Sequence, residues 1–142
     1  MIERKAEASW EGDLKAGKGS IRLGSGAFEG KYSFGTRFEG SPGTNPEELL
    51  GAAHAGCFTM ALSLGLTKAG HPPTRLDTTA AVELDKAGDA FAIKRIRIKT
   101  RGTVPGIDGS RFRELAEDAV KNCIISRALA GVPMELDAAL GS

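Results

Sequence analysis

Two thiols, a guanidinium and a carboxylate are the groups whose types and spacing point to chemistry. Cys57 closes "NPEELLGAAHAGC", residues 45–57, and no charge follows Glu48 until Lys68. Cys123 ends the apolar stripe of "DGSRFRELAEDAVKNC". A cysteine attacks as its thiolate, and apolar surroundings hold the proton on the sulfur, so a reactive Cys57 needs a cation beside it. Arg37, in "FGTRFEG", is the candidate, because a guanidinium stays charged when partly buried and its spare donors can hold a carboxylate. From spacing alone the commoner reading of Arg37 is a strand arginine paired with Glu39. Both cysteines likewise read as small buried apolar residues.

The carboxylate is Glu47. Along one helix Glu47 and Cys57 lie roughly 15 Å apart and about 80° apart around the axis, so they cannot touch within one chain. Two copies of the helix crossing antiparallel near Ala52 would bring residue 47 of one opposite residue 57 of the other. Ala52 and Gly56 form a small-xxx-small pair that permits this close approach.

His54, one turn before Cys57, suggests a cysteine hydrolase or acyl-transfer pair, but nothing in the sequence supplies the group that would orient it, and a structural histidine is the expectation. His71 in "AGHPP" reads as loop. Two cysteines and two histidines so scattered make no zinc pattern. The glycines of "GSGAFEG" lack the strand and Lys-Ser/Thr helix of a phosphate loop. No metal or cofactor is expected.

These residues must be positioned by a small set of elements. At 142 residues the chain fits a single domain, residues 1–142, with a modest core. A formal net charge of +1 gives no field to favour nucleic acid or an anionic membrane as partner. The first segment has no apolar signal region, so a cytoplasmic, reducing setting is expected, in which the cysteines are structural thiols or a cycling redox pair. "KAEASW" and "GSIRLGS" alternate as strands, and "YSFGTRFEG" reads as a third, completing a meander. Asn45 and Pro46 open a helix as N-cap and N1, with Glu48 at N3 as in a capping box. From Leu49 to Thr67 the helix has no charge, yet glycine, alanine, His54, Thr59 and Ser63 make it too weakly apolar for a membrane span. It is expected to be buried nearly all round, which one small chain cannot achieve alone, so a dimer core is predicted. Residues 77–104 read as a hairpin of "DTTAAVELDK" and "FAIKRIRIKTRGTV", with a β-bulge near Lys94 where the apolar parity changes. A helix ending near Cys123, a short helical segment and a last strand, "VPMELDAAL", complete an α+β chain.

"WEGDLKAGKG", "FGTRFEG", "GTNPEELLGAAHAGCFTMALS", "LDTTAAVELDK", "VPGID" and the second cysteine together resemble the family of osmotically inducible protein C (OsmC) and organic hydroperoxide resistance proteins. The resemblance covers nearly the whole chain and is most specific over residues 43–63. It implies an intertwined homodimer in which antiparallel β-sheets wrap around paired central helices. It implies a cysteine-based peroxidase, with Cys57 as peroxidatic cysteine, Cys123 as resolving cysteine, Arg37 as the stabilising arginine and Glu47 as its acidic partner. Glu48 is then mainly a capping residue. The implied substrate is an organic hydroperoxide, with hydrogen peroxide used more weakly, and the implied reductant is an external dithiol, of lipoyl type in relatives. Leu50, Phe58 and Met60 are the expected apolar lining for an alkyl tail. One departure stands out. Relatives commonly carry proline after the resolving cysteine, where this chain has Ile124, so a different cap and a slower or differently gated resolving step are expected. The rival from another class is a non-catalytic dimer of the same fold that binds an apolar ligand at the subunit interface.

Overall fold

The alternating N-terminal segments pair as the expected antiparallel meander, β1 (Ala6–Glu11), β2 (Lys18–Leu23) and β3 (Glu29–Tyr32). Its register is fixed by side chains across the strands. Glu7 faces Arg22 and accepts its guanidinium at 2.6 Å, and Ser9 faces Ser20 with the hydroxyls 3.1 Å apart. Gly19 has to be glycine, since a Cβ there would lie 2.5 Å from the Ser9 carbonyl and against the Trp10 and Tyr32 rings, which meet edge-on at 5.3 Å. The computed structural model describes residues 1–141 and resolves them into two units, one ending at Leu49 and the next beginning at Leu50.

Where "YSFGTRFEG" was expected to be a strand, Phe34–Phe38 forms a short helix, α1. The cause is local. The Ser33 hydroxyl accepts from the Thr36 N–H and the Thr36 hydroxyl accepts from the Ser33 N–H, a reciprocal cap that turns the chain out of the extended state. Asn45 then caps α2 (Pro46–Lys68) as predicted, its Oδ1 accepting from the Glu48 N–H at 2.7 Å. Only half of a capping box forms, because the Glu48 carboxylate accepts from the Thr44 hydroxyl instead.

In the second unit, α2 buries one stripe, Gly51, His54, Phe58, Leu62 and Leu66, at three- and four-residue spacing. Met60 and Leu64 are exposed, so a single chain buries only one face of the helix. By length and hydropathy α2 could cross a bilayer, but its buried stripe is core. The hairpin of β4 (Arg75–Ala87) and β5 (Ala90–Thr103) carries the predicted bulge: Glu83 faces Arg95 and Leu84 faces Ile93, which leaves Lys94 unpaired. Beyond that point Ile96, Ile98 and Thr100 all turn inward. Close approach of helix to sheet requires Gly51, whose Cβ would lie 3.1 Å from the Ala80 carbonyl. A polar ladder also joins them, with Thr59 Oγ1 2.8 Å from Thr78 Oγ1, which is 2.9 Å from Thr100 Oγ1. Asp108 caps α3 (Gly109–Asn122), α4 (Ile124–Ala128) follows, and β6 (Met134–Leu140) ends the chain's regular structure.

The sheets are not purely antiparallel. β6 pairs parallel to β5, Ile98 opposite Leu136, because the long α3–α4 connection returns the chain to the end of the sheet where β5 began. Phe58, Leu62, Leu66, Ile96, Phe112 and Ala116 are fully buried and form the centre of this unit's core.

Candidate functional site

The predicted site residues fall into two pairs, each built by its own unit. In the first, α1 presents Arg37 and the start of α2 presents Glu47. Asn45 joins the two elements, donating from Nδ2 to the Thr36 carbonyl while its Oδ1 caps α2. Arg37, one residue past Thr36, and Glu47, two past Asn45, then meet: Arg37 Nε and Nη2 each donate to a Glu47 carboxylate oxygen at 2.9 Å. This is the two-pronged geometry that guanidinium and carboxylate share. The expected pairing of Arg37 with Glu39 does not occur, because in a helical turn residues two apart point to different sides. The Glu47 side chain is 12% exposed and that of Arg37 40%. Hydrogen bonding to Glu47 raises the pKa of Arg37 against the smaller opposing effect of burial, so the cation is fixed in its charged form. The Phe38 ring lies beneath the guanidinium, 5.4 Å from its centre to the carbon. Arg37 also borders a cavity of about 320 Å³ walled by Trp10, Leu14, Tyr32, Phe34 and Phe38.

In the second unit, Cys57 on α2 and Cys123 at the end of α3 are free thiols placed close enough for each to act on the other's ionisation. Cys57 is half-buried and Cys123 is 1% exposed. Burial, and next the hydrogen bond to Cys123, push the Cys57 thiol up, with the N–H groups of Ile125 and Ile124 acting the other way. For Cys123 burial also acts upward but is outweighed by hydrogen bonds from Cys57 and from the N–H and hydroxyl of Ser126, so this thiol is pulled down.

Cys123 has a second local role as the N-cap of α4, its sulfur accepting from the Ser126 N–H at 3.5 Å. Ile124 occupies the first helical position, where a proline would fit, and its side chain is exposed. The cap therefore forms without proline. Phe58 is also corrected as a ligand-lining residue: it is fully buried in the core, whereas Met60 is exposed and Leu50 half-buried.

His54 has the partner that sequence reasoning missed. Its Nε2 lies 2.7 Å from Ser126 Oγ, and both residues are buried. The only sequence signal was the spacing in "CIIS", which places a hydroxyl at the third helical position after a cap. His71 lies in a loop with Nδ1 3.3 Å from the Pro105 carbonyl. Among the described residues, no three His, Cys, Asp or Glu side chains are grouped to hold a metal.

Comparison with known proteins follows the same residues. Residues 38–137 match the family described as OsmC-like protein. Peroxiredoxin OsmC of Escherichia coli strain K12 is 53% identical over 129 residues, covering 90% of each chain. The organic hydroperoxide resistance protein of Xanthomonas axonopodis pv. citri is 32% identical over 95 residues, 65% of this chain and 63% of that one. The crystal structure of an organic hydroperoxide resistance protein from Elizabethkingia anophelis superposes with a TM-score of 0.76 over 99% of both chains at 22% identity, a likeness of fold. With this α+β architecture and a family match over residues 38–137, which takes in Glu47, Cys57 and Cys123, the chain belongs to the OsmC-like protein family.

Proposed function

We propose that this chain is a thiol peroxidase that reduces organic hydroperoxides, and hydrogen peroxide more weakly, with Cys57 as the peroxidatic and Cys123 as the resolving cysteine. One observation carries the reading: two free thiols far apart in sequence, Cys57 and Cys123, come together at the edge of a buried core, close enough for each to act on the other's ionisation. The names of the relatives, a peroxiredoxin and an organic hydroperoxide resistance protein, support the substrate class.

The chemistry follows from the thiols. The Cys57 thiolate attacks the peroxide O–O bond, the alcohol leaves, and Cys57 becomes a sulfenic acid. Cys123 then displaces hydroxide from that sulfur to form a disulfide, which an external dithiol, of lipoyl type, reduces by exchange. Burial and the contact with Cys123 both disfavour the Cys57 thiolate, so a cation has to oppose them. In this proposal Arg37 supplies it and holds the peroxide oxygen, while Glu47 keeps the guanidinium in one orientation. The apolar cavity beside Arg37 suits an alkyl tail.

The working form is a homodimer. Ala52, Gly56, Met60 and Leu64 form an exposed stripe of small and apolar residues along α2, and a Cβ on Gly56 would meet nothing within 4 Å in the single chain. A second copy of α2 would cover that face. The test is consumption of cumene hydroperoxide in the presence of excess dithiol. Wild type should consume it rapidly and Cys57→Ser should not; equal, slow consumption by both proteins would end the peroxidase reading.

A further inference from the structure

Cys123 is almost wholly buried, and the polar groups around its sulfur form a sequence of donors with one direction. His54 Nε2 and Ser126 Oγ are 2.7 Å apart, and Ser126 in turn donates its N–H to the Cys123 sulfur at 3.5 Å, with its hydroxyl acting on that thiol in the same direction. His54 is 0% exposed and, among the described residues, its Nδ1 has no hydrogen-bond partner. That vacancy selects the tautomer. A proton on Nδ1 would leave a buried donor unpaired, whereas a proton on Nε2 leaves only a lone pair there and is itself satisfied by Ser126 Oγ. With Nε2–H donating to its oxygen, the serine hydroxyl is free to donate its own proton to sulfur.

We propose that His54, as a neutral donor acting through Ser126, aims a hydrogen bond at the Cys123 sulfur and so makes Cys123 the attacking thiolate of the disulfide-forming step. This rests on the peroxidase reading above. Both are positioning residues, since neither touches the peroxide in this scheme. The step balances within the protein. The Cys123 thiolate attacks the sulfenic sulfur of Cys57, the S–S bond forms and the S–O bond breaks. The departing hydroxide takes up the proton that Cys123 shed and leaves as water. Cys123 is oxidised, the sulfenic sulfur is reduced, and His54 ends neutral as it began.

The surroundings fit a fixed donor rather than a base. Burial lowers the pKa of His54, which keeps the ring uncharged near neutral pH. The titratable group acting on Cys123 is Cys57, from α2, and the other members of its buried cluster, Ile96, Ile98 and Ala138 from the strands among them, are apolar. A hydroxyl polarised by an imidazole then adds to the backbone N–H donors at a sulfur that is almost wholly buried.

The experiment separates the two halves of the cycle. Reduced wild type, Ser126→Ala, His54→Leu and His54→Gln are each mixed with one equivalent of cumene hydroperoxide. Dimedone trapping follows the Cys57 sulfenic acid, and loss of free thiol follows the disulfide, across a range of pH. Sulfenic acid formation should stay within about twofold of wild type throughout. Disulfide formation should slow roughly tenfold or more in Ser126→Ala and His54→Leu, as expected for a lost hydrogen bond to a charged acceptor, with its pH profile moved upward. His54→Gln, whose amide can donate where Nε2–H did, should recover most of the rate. Titration of Cys123 alone, by thiolate absorbance in a Cys57→Ala background with and without Ser126→Ala, gives the same test without turnover. Unchanged resolution rates and an unmoved Cys123 titration would overturn the donor chain while leaving the peroxidase intact. No sulfenic acid in wild type would overturn both.

Discussion

Replacing Glu47 with glutamine tests whether the clamp on Arg37 matters to the chemistry. The substitution keeps the size and shape of the side chain but removes its charge and turns one oxygen into an NH2. Of the two 2.9 Å bonds, the carbonyl oxygen can keep one, while the new NH2 faces a guanidinium donor and the other is lost. A hydrogen bond to a charged partner is worth about 1.5–3 kcal/mol. Arg37 is 40% exposed and solvent screens part of the interaction, which places the loss at the lower end, about 1.5 kcal/mol. If all of it falls on the orientation of Arg37 in the transition state, kcat/KM for an alkyl hydroperoxide drops roughly tenfold. The assay is stopped-flow oxidation of the reduced protein at varied peroxide, beside a titration of the Cys57 thiol, which should move upward as the cation loosens. Glu48→Gln is the control, because the amide oxygen it introduces can still accept from the Thr44 hydroxyl and Glu48 does not bond Arg37. A Glu47→Gln protein that reacts within twofold of wild type, with its thiol titration unmoved, would refute the reasoning.

Other outcomes follow from the same geometry. Cys123→Ser should give one rapid turnover and then accumulate Cys57 sulfenic acid, seen as a dimedone adduct by mass spectrometry; undiminished steady-state cycling would show that another thiol resolves. Phe58→Ala, at a fully buried core position, should cost about 3–5 kcal/mol in urea unfolding, and a loss below about 1 kcal/mol would mean the core is not as described. Gly56→Leu should fold but sediment as a monomer, since a single chain has room for the side chain and a second α2 would not. Burial lowers the folded pKa of His54, so the unfolded chain binds its proton first. The stability that the neutral ring contributes is complete above its unfolded pKa of about 6.5 and is lost as pH falls below it. His54→Gln should flatten that acid limb of the unfolding midpoint, and an unchanged slope would assign it to other groups.

What could be read from the residues was whatever is decided locally. Asn45 and Pro46 announced the start of α2, and the change of parity around Lys94 announced the bulge, because each depends on neighbours in the chain. The segment around Arg37 misled for the same reason: its aromatic and β-branched residues suit a strand, and only the exchange of two bonds between Ser33 and Thr36 turns it into α1. Contacts between distant residues stayed hidden. Nothing near Met134–Leu140 states that its neighbour runs parallel, and nothing near His54 points to a serine 72 positions away. Arg37 and Glu47 were picked for their chemistry, but the two-pronged bond within one chain became visible only with the Asn45 tether in place. For α2 composition shows that a face is apolar without showing what covers it: one chain buries only the Gly51–Leu66 stripe and leaves Met60 and Leu64 exposed.

The parallel pairing of β5 with β6 bears on the order in which the molecule is born. Cys57 is synthesised early, but the connection that carries Cys123 is held in place only when the final strand docks beside β5, one of the most distant pairings in this unit. Pairings of that kind form late, after the local hairpin and helices. A nascent chain therefore carries its first thiol without the second for much of its synthesis. A peroxide met in that interval can drive Cys57 past the sulfenic stage to acids that no dithiol restores. On the proposed peroxidase reading, the topology that would make the finished thiol pair recyclable leaves the unfinished one open to permanent damage, so oxidative injury to this protein should fall most heavily on chains still being made.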